Sequence, residues 1–302
     1  PLKRGAGRPP YAQAPHFFQI LLILKMVSLY YLLSMYSARR FYPFFTPTKE
    51  SLIMKFAILA TALLTTFAAS NALAEAAKPA TELSFNLAVT SDYRYRGISQ
   101  TRLQPALQGG TDFVHNPSGT YVGAWASTIK WTKDAGGSGD IELDLYAGKR
   151  GEIVTGLGYD VGILTYVYPS NGLANVAGFV NANTTELYGQ ISYGPAVLKY
   201  SHAVTNLFGF VDSKNSGYLD LSANLEAGNG VIVNLHAGHQ RVAHNSAASY
   251  TDWKIGLSRD FGVVTGALAV IGTNANKNAY ASPANGKFLG KSALVLTISK
   301  TF

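Results

Sequence analysis

From Leu83 to the last residue, apolar and polar side chains alternate along much of the chain. In residues 83–90, 141–145 and 218–226, an apolar side chain occupies every second position, and small or polar side chains lie between. This period of two is typical of β-strands that present one apolar and one polar face. Turn residues divide the region into twelve such segments, each predicted to be a strand: 83–96, 104–115, 120–131, 140–150, 156–168, 184–194, 196–205, 217–227, 230–241, 249–260, 262–273 and 291–302.

The connections between these predicted strands alternate in length. Tight connections follow the even-numbered strands, at 116–119, 151–155, 194–195, 228–229 and 261–262, and longer ones such as 169–183, 206–216 and 274–290 follow odd-numbered strands. An even strand number with short turns at one rim and long loops at the other is typical of bacterial outer-membrane barrels. A soluble sandwich with its apolar face turned inward is the alternative, but nothing in that fold requires loops sorted by length.

A sheet can cross lipid only if it closes on itself, because every backbone N–H and C=O group must then be paired within the protein. Strands of about ten residues, tilted by about 45°, match the thickness of the hydrocarbon layer. We therefore predict an all-β fold, a closed antiparallel up-and-down transmembrane β-barrel of about twelve strands over 83–302, preceded by a helical signal peptide. Aromatic residues near the strand ends are expected to form girdles at the membrane interfaces: Tyr93, Tyr95, Tyr121, Trp131, Tyr193, Trp253 and Phe302.

Residues 54–74 have the pattern of a cleavable export signal. A short basic start at Met54 is followed by an apolar core over 56–64, and the segment closes with a small-x-small pattern at Ala72 and Ala74. We predict cleavage after Ala74, which leaves a mature chain that begins at Glu75 with a linker before the barrel, over 75–82. The alternative is an N-terminal helix of a cytosolic protein.

Residues 1–53 precede this complete signal. Residues 17–36 are long enough to span a membrane, although Lys25 lies in their middle, and they could form an inner-membrane anchor. We favour a disordered segment or a mis-assigned N-terminal extension without a role, because a full signal begins at Met54.

The distribution of charge argues against a nucleic-acid partner. The net charge is +8, but residues 1–74 hold eight Lys and Arg against one acid, and residues 75–302 hold seventeen against sixteen. The predicted barrel therefore has no excess of basic residues from which a nucleic-acid-binding patch could form. The sequence also contains no cysteine, which excludes disulfides, cysteine-based zinc sites and thiol nucleophiles.

The polar face of the predicted strands carries nine carboxylates and six basic groups that we expect to line the pore. They are Asp92, Arg94, Arg96, Lys130, Glu142, Asp144, Arg150, Asp160, Glu186, Lys199, Asp220, Glu226, Asp252, Lys254 and Asp260. These charges either pair across neighbouring strands and plug a narrow barrel, or surround a water-filled passage that favours cations. Asp92, Arg94 and Arg96, on one face of the first strand, are expected to form a constriction or an ion-pair ladder.

The sequence shows no pattern that identifies a catalytic site. His236 and His239 are three residues apart on a predicted strand, so they point to opposite faces and cannot share a metal without a bulge. His244, in the next loop, could approach His239 and form at best a weak extracellular metal site. We expect no catalytic residue, no metal and no cofactor.

Four motifs resemble the TorF-like family of proteobacterial outer-membrane porins. Its opening strand is similar to VTSDYRYRGISQT at 89–101, and further matches are ELDLYAG at 142–148, LGYDVG at 157–162 and SKTF at 299–302. The resemblance implies a porin-like barrel without catalytic residues. Phe302 also resembles the terminal signal that the barrel-assembly machinery recognises, although Lys300 stands where an apolar residue is usual.

The leading functional hypothesis is a Gram-negative outer-membrane porin-like channel for passive diffusion of small hydrophilic solutes or ions. Its expected partners are outer-membrane lipid, the barrel-assembly machinery, which would bind the C-terminal strand, and the solutes themselves; the oligomeric state is left open. One alternative is a closed structural or adhesive barrel that acts through its extracellular loops. Another is an outer-membrane enzyme of the lipase or protease kind.

Overall fold

The structure is a computed structural model, and it describes residues 79–302. The predicted upstream segment (1–53), the signal peptide (54–74), its cleavage positions Ala72, Ala74 and Glu75, and residues 75–78 of the linker lie outside the described residues. Within residues 79–302, no helix has the length and apolar character needed to span a bilayer.

Antiparallel strands make up most of the described chain. In order they are β1 (Thr81–Thr90), β2 (Arg94–Tyr95), β3 (Ile98–Ser99), β4 (Ala106–His115), β5 (Thr120–Thr128), β6 (Ile141–Val154), β7 (Leu157–Val167), β8 (Thr184–Tyr193), β9 (Ala196–Ala203), β10 (Gly217–Glu226), β11 (Val231–Arg241), β12 (Tyr250–Asp260), β13 (Thr265–Thr273) and β14 (Ala293–Thr301). All except β2 and β3 form one closed barrel, in which neighbours in sequence pair and β14 returns to β1. The predicted fold class, a closed antiparallel up-and-down barrel of twelve strands, is confirmed in the described residues.

The barrel is apolar outside and polar inside. On β12, Trp253, Ile255 and Leu257 are exposed at the outer surface, whereas Asp252 and Lys254, which alternate with them, face the lumen. The same alternation runs through the other long strands and leaves many Leu, Ile and Val side chains exposed on the outside. Exposure of apolar surface to water costs about 25 cal/mol per Å². An exterior of this kind is therefore suited to hydrocarbon.

The two ends of the barrel differ, as the sequence predicted. One end, the turn rim, carries the short connections 116–119, 155–156, 194–195, 227–230 and 261–264, and the other, the loop rim, carries 91–105, 129–140, 168–183, 204–216, 242–249 and 274–292. Tight turns require left-handed backbone, which glycine adopts without strain. Accordingly, Gly156 has a φ of 84° and Gly262 a φ of 80°. The second turn, predicted at 151–155, lies at 155–156, because β6 continues through a bulge at Glu152 to Val154.

The first strand ends at Thr90 and not at 96, so this prediction is wrong. Residues 91–105, here called the inner segment, leave the wall and fold into the lumen at the loop rim, where β2 and β3 form a small hairpin. The hairpin turns at Arg96 and Gly97, with φ values of 47° and 79°. Its side chains alternate like those of a strand because a hairpin also consists of extended backbone.

The strand predicted at 120–131 also ends early, at Thr128, and a short helix α1 (Trp131–Asp134) follows. Trp131 packs edge-on against Tyr168 with ring centroids 5.0 Å apart, so it does not lie in an outer girdle. Tyr93 and Tyr95 are likewise packed inside, and Tyr121 turns its hydroxyl to the lumenal Asp160. The girdle prediction is thus wrong for these residues. Aromatic side chains that are exposed at the outer surface are Tyr193, Trp253 and Phe302.

The long loops and the inner segment pack together at the loop rim around apolar side chains. The buried members are Tyr93, Ile98, Ala106, Ile129, Tyr166, Tyr168, Leu173, Ala182, Ala203, Leu207, Val242, Ala248, Tyr250, Ala275 and Leu289. Such packing is the usual basis of loop order, because burying one Leu, Ile or Val side chain contributes about 1.5–3 kcal/mol. This part of the barrel is a folded cap and not a set of open loops.

Candidate functional site

The inner segment is fixed to the barrel wall by a buried ion pair. Arg96 Nη2 lies 2.7 Å from a carboxylate oxygen of Glu186 on β8, and Arg96 Nη1 donates to Gln240 Oε1 on β11 at 2.6 Å. The Arg96 and Glu186 side chains are only 6% and 2% exposed. Opposite charges at this distance, shielded from water, attract strongly. Arg96 therefore connects the segment to two different strands of the wall.

The other end of the inner segment is held by Asp92 and Arg94. The Asp92 carboxylate accepts hydrogen bonds from Arg94 Nε at 2.5 Å and from Ser99 Oγ at 2.5 Å. Arg94 Nη1 also donates to the backbone carbonyls of Leu289 and Lys291, each at 3.0 Å. Asp92 and Arg94 thus form an ion pair, but in the inner segment and not on a strand face. Arg96 points elsewhere, so the three residues form no ladder.

Two carboxylates of β6 lie beneath the inner segment. Glu142 is 1% exposed and accepts hydrogen bonds from the hydroxyls of Tyr93 and Tyr168, the latter at 2.8 Å. Asp144, the next inward position on the strand, has a buried Oδ1 without a hydrogen-bond partner in the described part of the chain. A buried carboxylate oxygen without a donor is costly. Asp144 is therefore able to accept a hydrogen bond from a molecule in the lumen.

On the opposite wall, a histidine bridges two carboxylates. His236 Nδ1 lies 3.1 Å from Asp220 Oδ2 on β10, and His236 Nε2 lies 2.7 Å from Asp252 Oδ2 on β12. The Tyr218 hydroxyl donates to Asp252 Oδ1 at 2.9 Å. These hydrogen bonds link three neighbouring strands and occupy both oxygens of Asp252 and one oxygen of Asp220. His239, as predicted, faces the other side of β11.

Lys199 and Lys254 are different, because neither ammonium has a carboxylate oxygen within 4.0 Å among residues 79–302. Both are half-buried inward positions, on β9 and β12. Lys199 Nζ lies 4.1 Å from the centre of the Tyr188 ring, which is a cation–π contact. The Lys254 side chain forms no hydrogen bond or ion pair in the described structure.

Two adjoining cavities occupy the lumen beside the inner segment, and both border on Arg94 and Lys254. One, of about 270 Å³, lies against β4, β5, β13 and β14. The other, of about 380 Å³, is here called the chamber. The charged groups of the chamber are Arg94, Arg96, Asp144, Lys199, Asp220, His236, Asp252 and Lys254. A cavity with such a lining is suited to water and polar solutes and not to an apolar ligand.

The remaining residues predicted to line the pore lie nearer the ends of the barrel. Asp160 accepts a hydrogen bond from the Tyr121 hydroxyl at 2.5 Å, while Glu226 and Asp260 are exposed final residues of their strands at the turn rim. Lys130 lies outside the strands, just before α1, and was wrongly assigned to one. Burial among the loops, with Arg102 nearby, lowers the pKa of Lys130.

Tyrosine hydroxyls of the lumen were missed by the sequence reasoning. The inward tyrosines are Tyr121, Tyr146, Tyr166, Tyr188 and Tyr218, and several of them donate to lumenal carboxylates. Tyrosine counts as apolar in a hydrophobic pattern, so such a pattern does not reveal that these tyrosines lie on the polar, inward face of their strands. The signal that could have found them is their spacing of two from charged positions, as in Tyr218 and Asp220.

A metal site is not formed by the described residues. Within 79–302, no group of three or more His, Asp or Glu side chains could hold a metal ion. His239 Nδ1 contacts Thr251 Oγ1 at 3.0 Å, whereas His244 Nδ1 contacts the backbone oxygen of Asp212 at 2.9 Å. The two histidines that sequence spacing suggested as a weak pair thus have different partners.

The barrel is similar in structure to several solved outer-membrane proteins at very low sequence identity. The KdgM porin is 5% identical with a TM-score of 0.44 and covers 74% of this chain and 98% of its own. The NanC porin is 10% identical with a TM-score of 0.45, covering 73% and 98%. LpxR from Salmonella typhimurium is 12% identical with a TM-score of 0.39, covering 72% and 99%.

The sequence itself gives a family assignment. No curated protein matches it. A family described as "Bacterial protein of unknown function (Gcw_chp)" matches residues 73–302, which include every strand of the barrel. The chain therefore belongs to the Gcw_chp family of bacterial proteins.

Proposed function

We propose that the chain is an outer-membrane channel through which small hydrophilic solutes or ions diffuse passively. The observation that supports this most is the combination, in one closed barrel, of an apolar exterior with a charged lumen that contains two adjoining cavities. The exterior suits hydrocarbon, and charges inside a barrel are stable only where water or polar partners reach them.

The inner segment is proposed to be the constriction of this channel. It carries Asp92, Arg94 and Arg96 into the lumen at the loop rim, whereas the cavities lie below it. Twelve strands enclose a lumen between that of small filled barrels and that of wide porins, so a folded segment of this size narrows it strongly. Passage is therefore expected to be slow and restricted to small solutes.

The route to the membrane is part of the same proposal. Export by the signal peptide at 54–74, cleavage after Ala74 and recognition of Phe302 by the barrel-assembly machinery would bring the mature chain to the outer membrane. The resemblance of residues 89–101 to the TorF-like porins supports this location. The Phe302 side chain is exposed at the outer surface of the barrel, where a partner could contact it.

A closed structural or adhesive barrel is the second candidate, and the packing of the loop rim favours it. Leu173 and Leu207 are buried in the loops, and the Arg96–Glu186 pair holds the inner segment across the lumen. If this cap never opens, the protein acts through its loops and passes no solute.

An enzyme is not proposed. A hydrolase of the lipase or protease kind needs a nucleophile, a base and a group that orients the base. Histidine contacts a Ser or Thr hydroxyl in two places within the described residues, His115 with Ser118 and His239 with Thr251, and neither histidine has a carboxylate within 4.0 Å. His236 contacts two carboxylates, but the hydroxyl group that it contacts belongs to a tyrosine and not to a serine or threonine.

Planar bilayer recordings test the proposal. The mature protein, purified from outer membranes and shown to be folded by its heat-modifiable migration in gels, is expected to give discrete conductance steps in potassium chloride. Steps of uniform size support a channel. Silence from folded protein at high concentration, together with no release of small sugars from loaded liposomes, contradicts it and supports the closed barrel.

A further inference from the structure

The chamber contains two lysines, Lys199 and Lys254, that form no salt bridge in the described chain. Two of its carboxylates, Asp220 and Asp252, each contact His236 through one oxygen, whereas Lys199 and Lys254 have no carboxylate oxygen within 4.0 Å in the described chain. The lysines therefore have hydrogen-bond donors that are free for a bound molecule.

The register of the strands brings these two lysines to the same part of the wall. Lys199 lies directly opposite Asp220 on β10, and Lys254 lies directly opposite His236 on β11. The lysines thus flank the Asp220–His236 pair from both sides, about 14 Å apart along the curved wall at roughly 4.8 Å per strand. Both side chains border the chamber.

A third donor is contributed by the inner segment. Arg94 borders the chamber, and its Nη2 is buried without a hydrogen-bond partner in the described residues. A buried guanidinium N–H without an acceptor is unfavourable. An anion in the chamber would supply the missing acceptor and would satisfy the lysines at the same time.

The rest of the lining restricts the kind of anion. Asp144, Asp220 and Asp252 also border the chamber, so a solute with one carboxylate beside the cations and neutral hydroxyl groups elsewhere places no second negative charge next to an aspartate. Leu164 and Ile271 add apolar surface suited to carbon atoms. The free oxygen of Asp144 is able to accept a hydrogen bond from a hydroxyl group.

We propose that the chamber is a binding site for a small hydroxylated organic monocarboxylate, with its carboxylate held by Lys199, Lys254 and Arg94. This inference deepens the proposed function and rests on it in one respect, since the bound solute would be one that the channel passes. A chamber of about 380 Å³ is large enough for a molecule of about six carbons.

Calorimetric titration of the folded mature protein in detergent tests the site independently of conductance. The probes are gluconate, glucose and glucosamine, which are similar in size and differ in charge. Wild-type protein is expected to bind gluconate and to bind the other two more weakly by at least about tenfold, since a hydrogen-bonded charge pair commonly gives such a factor. The double variant Lys199→Gln/Lys254→Gln is expected to lose about tenfold in gluconate affinity per lysine.

Two further variants separate charge in the chamber from general effects. Lys277→Gln removes one positive charge from an exposed loop position and should bind gluconate like wild type. Lys199→Arg/Lys254→Arg keeps both charges and should retain most of the affinity, which also guards against a folding defect in the glutamine variant. Equal binding of gluconate and glucose, or an unchanged affinity in the glutamine variant, would overturn the proposal.

The two proposals fail in different ways in these experiments. Gluconate binding without any conductance would contradict the channel and leave the site intact. Conductance without gluconate binding would contradict the site and leave the channel intact.

Discussion

Replacement of Arg94 and Arg96 by alanine should open the lumen and shift its selectivity toward cations. Arg96 neutralises the buried Glu186 at 2.7 Å, and Arg94 neutralises Asp92 at 2.5 Å. The double variant removes two positive charges from the constriction and leaves two carboxylates without their partners. It also removes the contacts that fix the inner segment to β8 and to the loop that precedes β14.

The size of the effect follows from the burial of these pairs. Removing one partner of a buried ion pair typically costs about 3–5 kcal/mol. A change of about 3 kcal/mol shifts a conformational equilibrium by roughly a hundredfold, so the inner segment should leave its docked position for a measurable fraction of the time. A permeating ion that passes about 7 Å from one unpaired carboxylate in water gains or loses about 0.6 kcal/mol, or about threefold in local concentration.

The assay is a single-channel recording with a potassium chloride gradient across the bilayer. The expected result is a larger conductance and a reversal potential that moves toward that of a cation-selective channel. Arg241→Ala is the matched control, because Arg241 is exposed at the loop rim and donates to a backbone oxygen, not to a carboxylate. A folded double variant with the conductance and reversal potential of wild type would refute the reasoning.

Three further predictions concern the folded cap, the apolar exterior of the barrel and the signal peptide. Tyr93→Phe removes a hydroxyl donor to the buried Glu142 and should destabilise the docked inner segment by about 1–3 kcal/mol, seen as faster proteolysis at the loop rim. Leu221→Arg, in the apolar exterior, should lower the free energy of unfolding from lipid vesicles by about 2–4 kcal/mol, whereas Ile153→Arg near the turn rim should cost at most about 1 kcal/mol; equal effects would contradict a membrane-spanning exterior. N-terminal sequencing of the mature protein should read from Glu75, and a start upstream of Met54 would show that the predicted signal is not used.

The barrel wall was predictable because the alternation of apolar and polar residues is visible within each strand separately. Along β10, Leu219 and Leu221 alternate with Asp220 and Ser222, and this order separates the apolar face of the strand from its polar face. The alternation of short and long connections then predicted that one end of the barrel carries turns and the other carries loops. Strand ends in the structure mostly agree with the predicted ones within three residues.

The inner segment was not predictable from the same signal. Tyr93, Arg94, Tyr95 and Arg96 continue the alternation of β1, and a period of two does not distinguish a strand in the wall from a hairpin inside it. The segment is held inside the barrel by Glu142, Glu186 and Gln240, which lie far from it in sequence. Gly97, which adopts a left-handed backbone in the hairpin, is a local sign of a turn in that stretch of the chain.

The sequence also did not show which charged side chains of the lumen lack a partner. Counting inward positions gives an excess of carboxylates, but hydroxyl and imidazole donors occupy many of them, as at Glu142 and Asp252. Which charges remain without partners depends on cross-strand register. Lys199 and Lys254 could be recognised as such only from the assembled wall.

The position of the inner segment in the chain has a consequence for the order of folding. The segment follows β1 directly, yet the groups that hold it belong to β6, β8 and β11, which are made later. Bringing together partners so distant in sequence is slow, and it requires the wall to exist first. We therefore expect every newly formed barrel to pass through a stage in which the cylinder is complete and its lumen is still unobstructed.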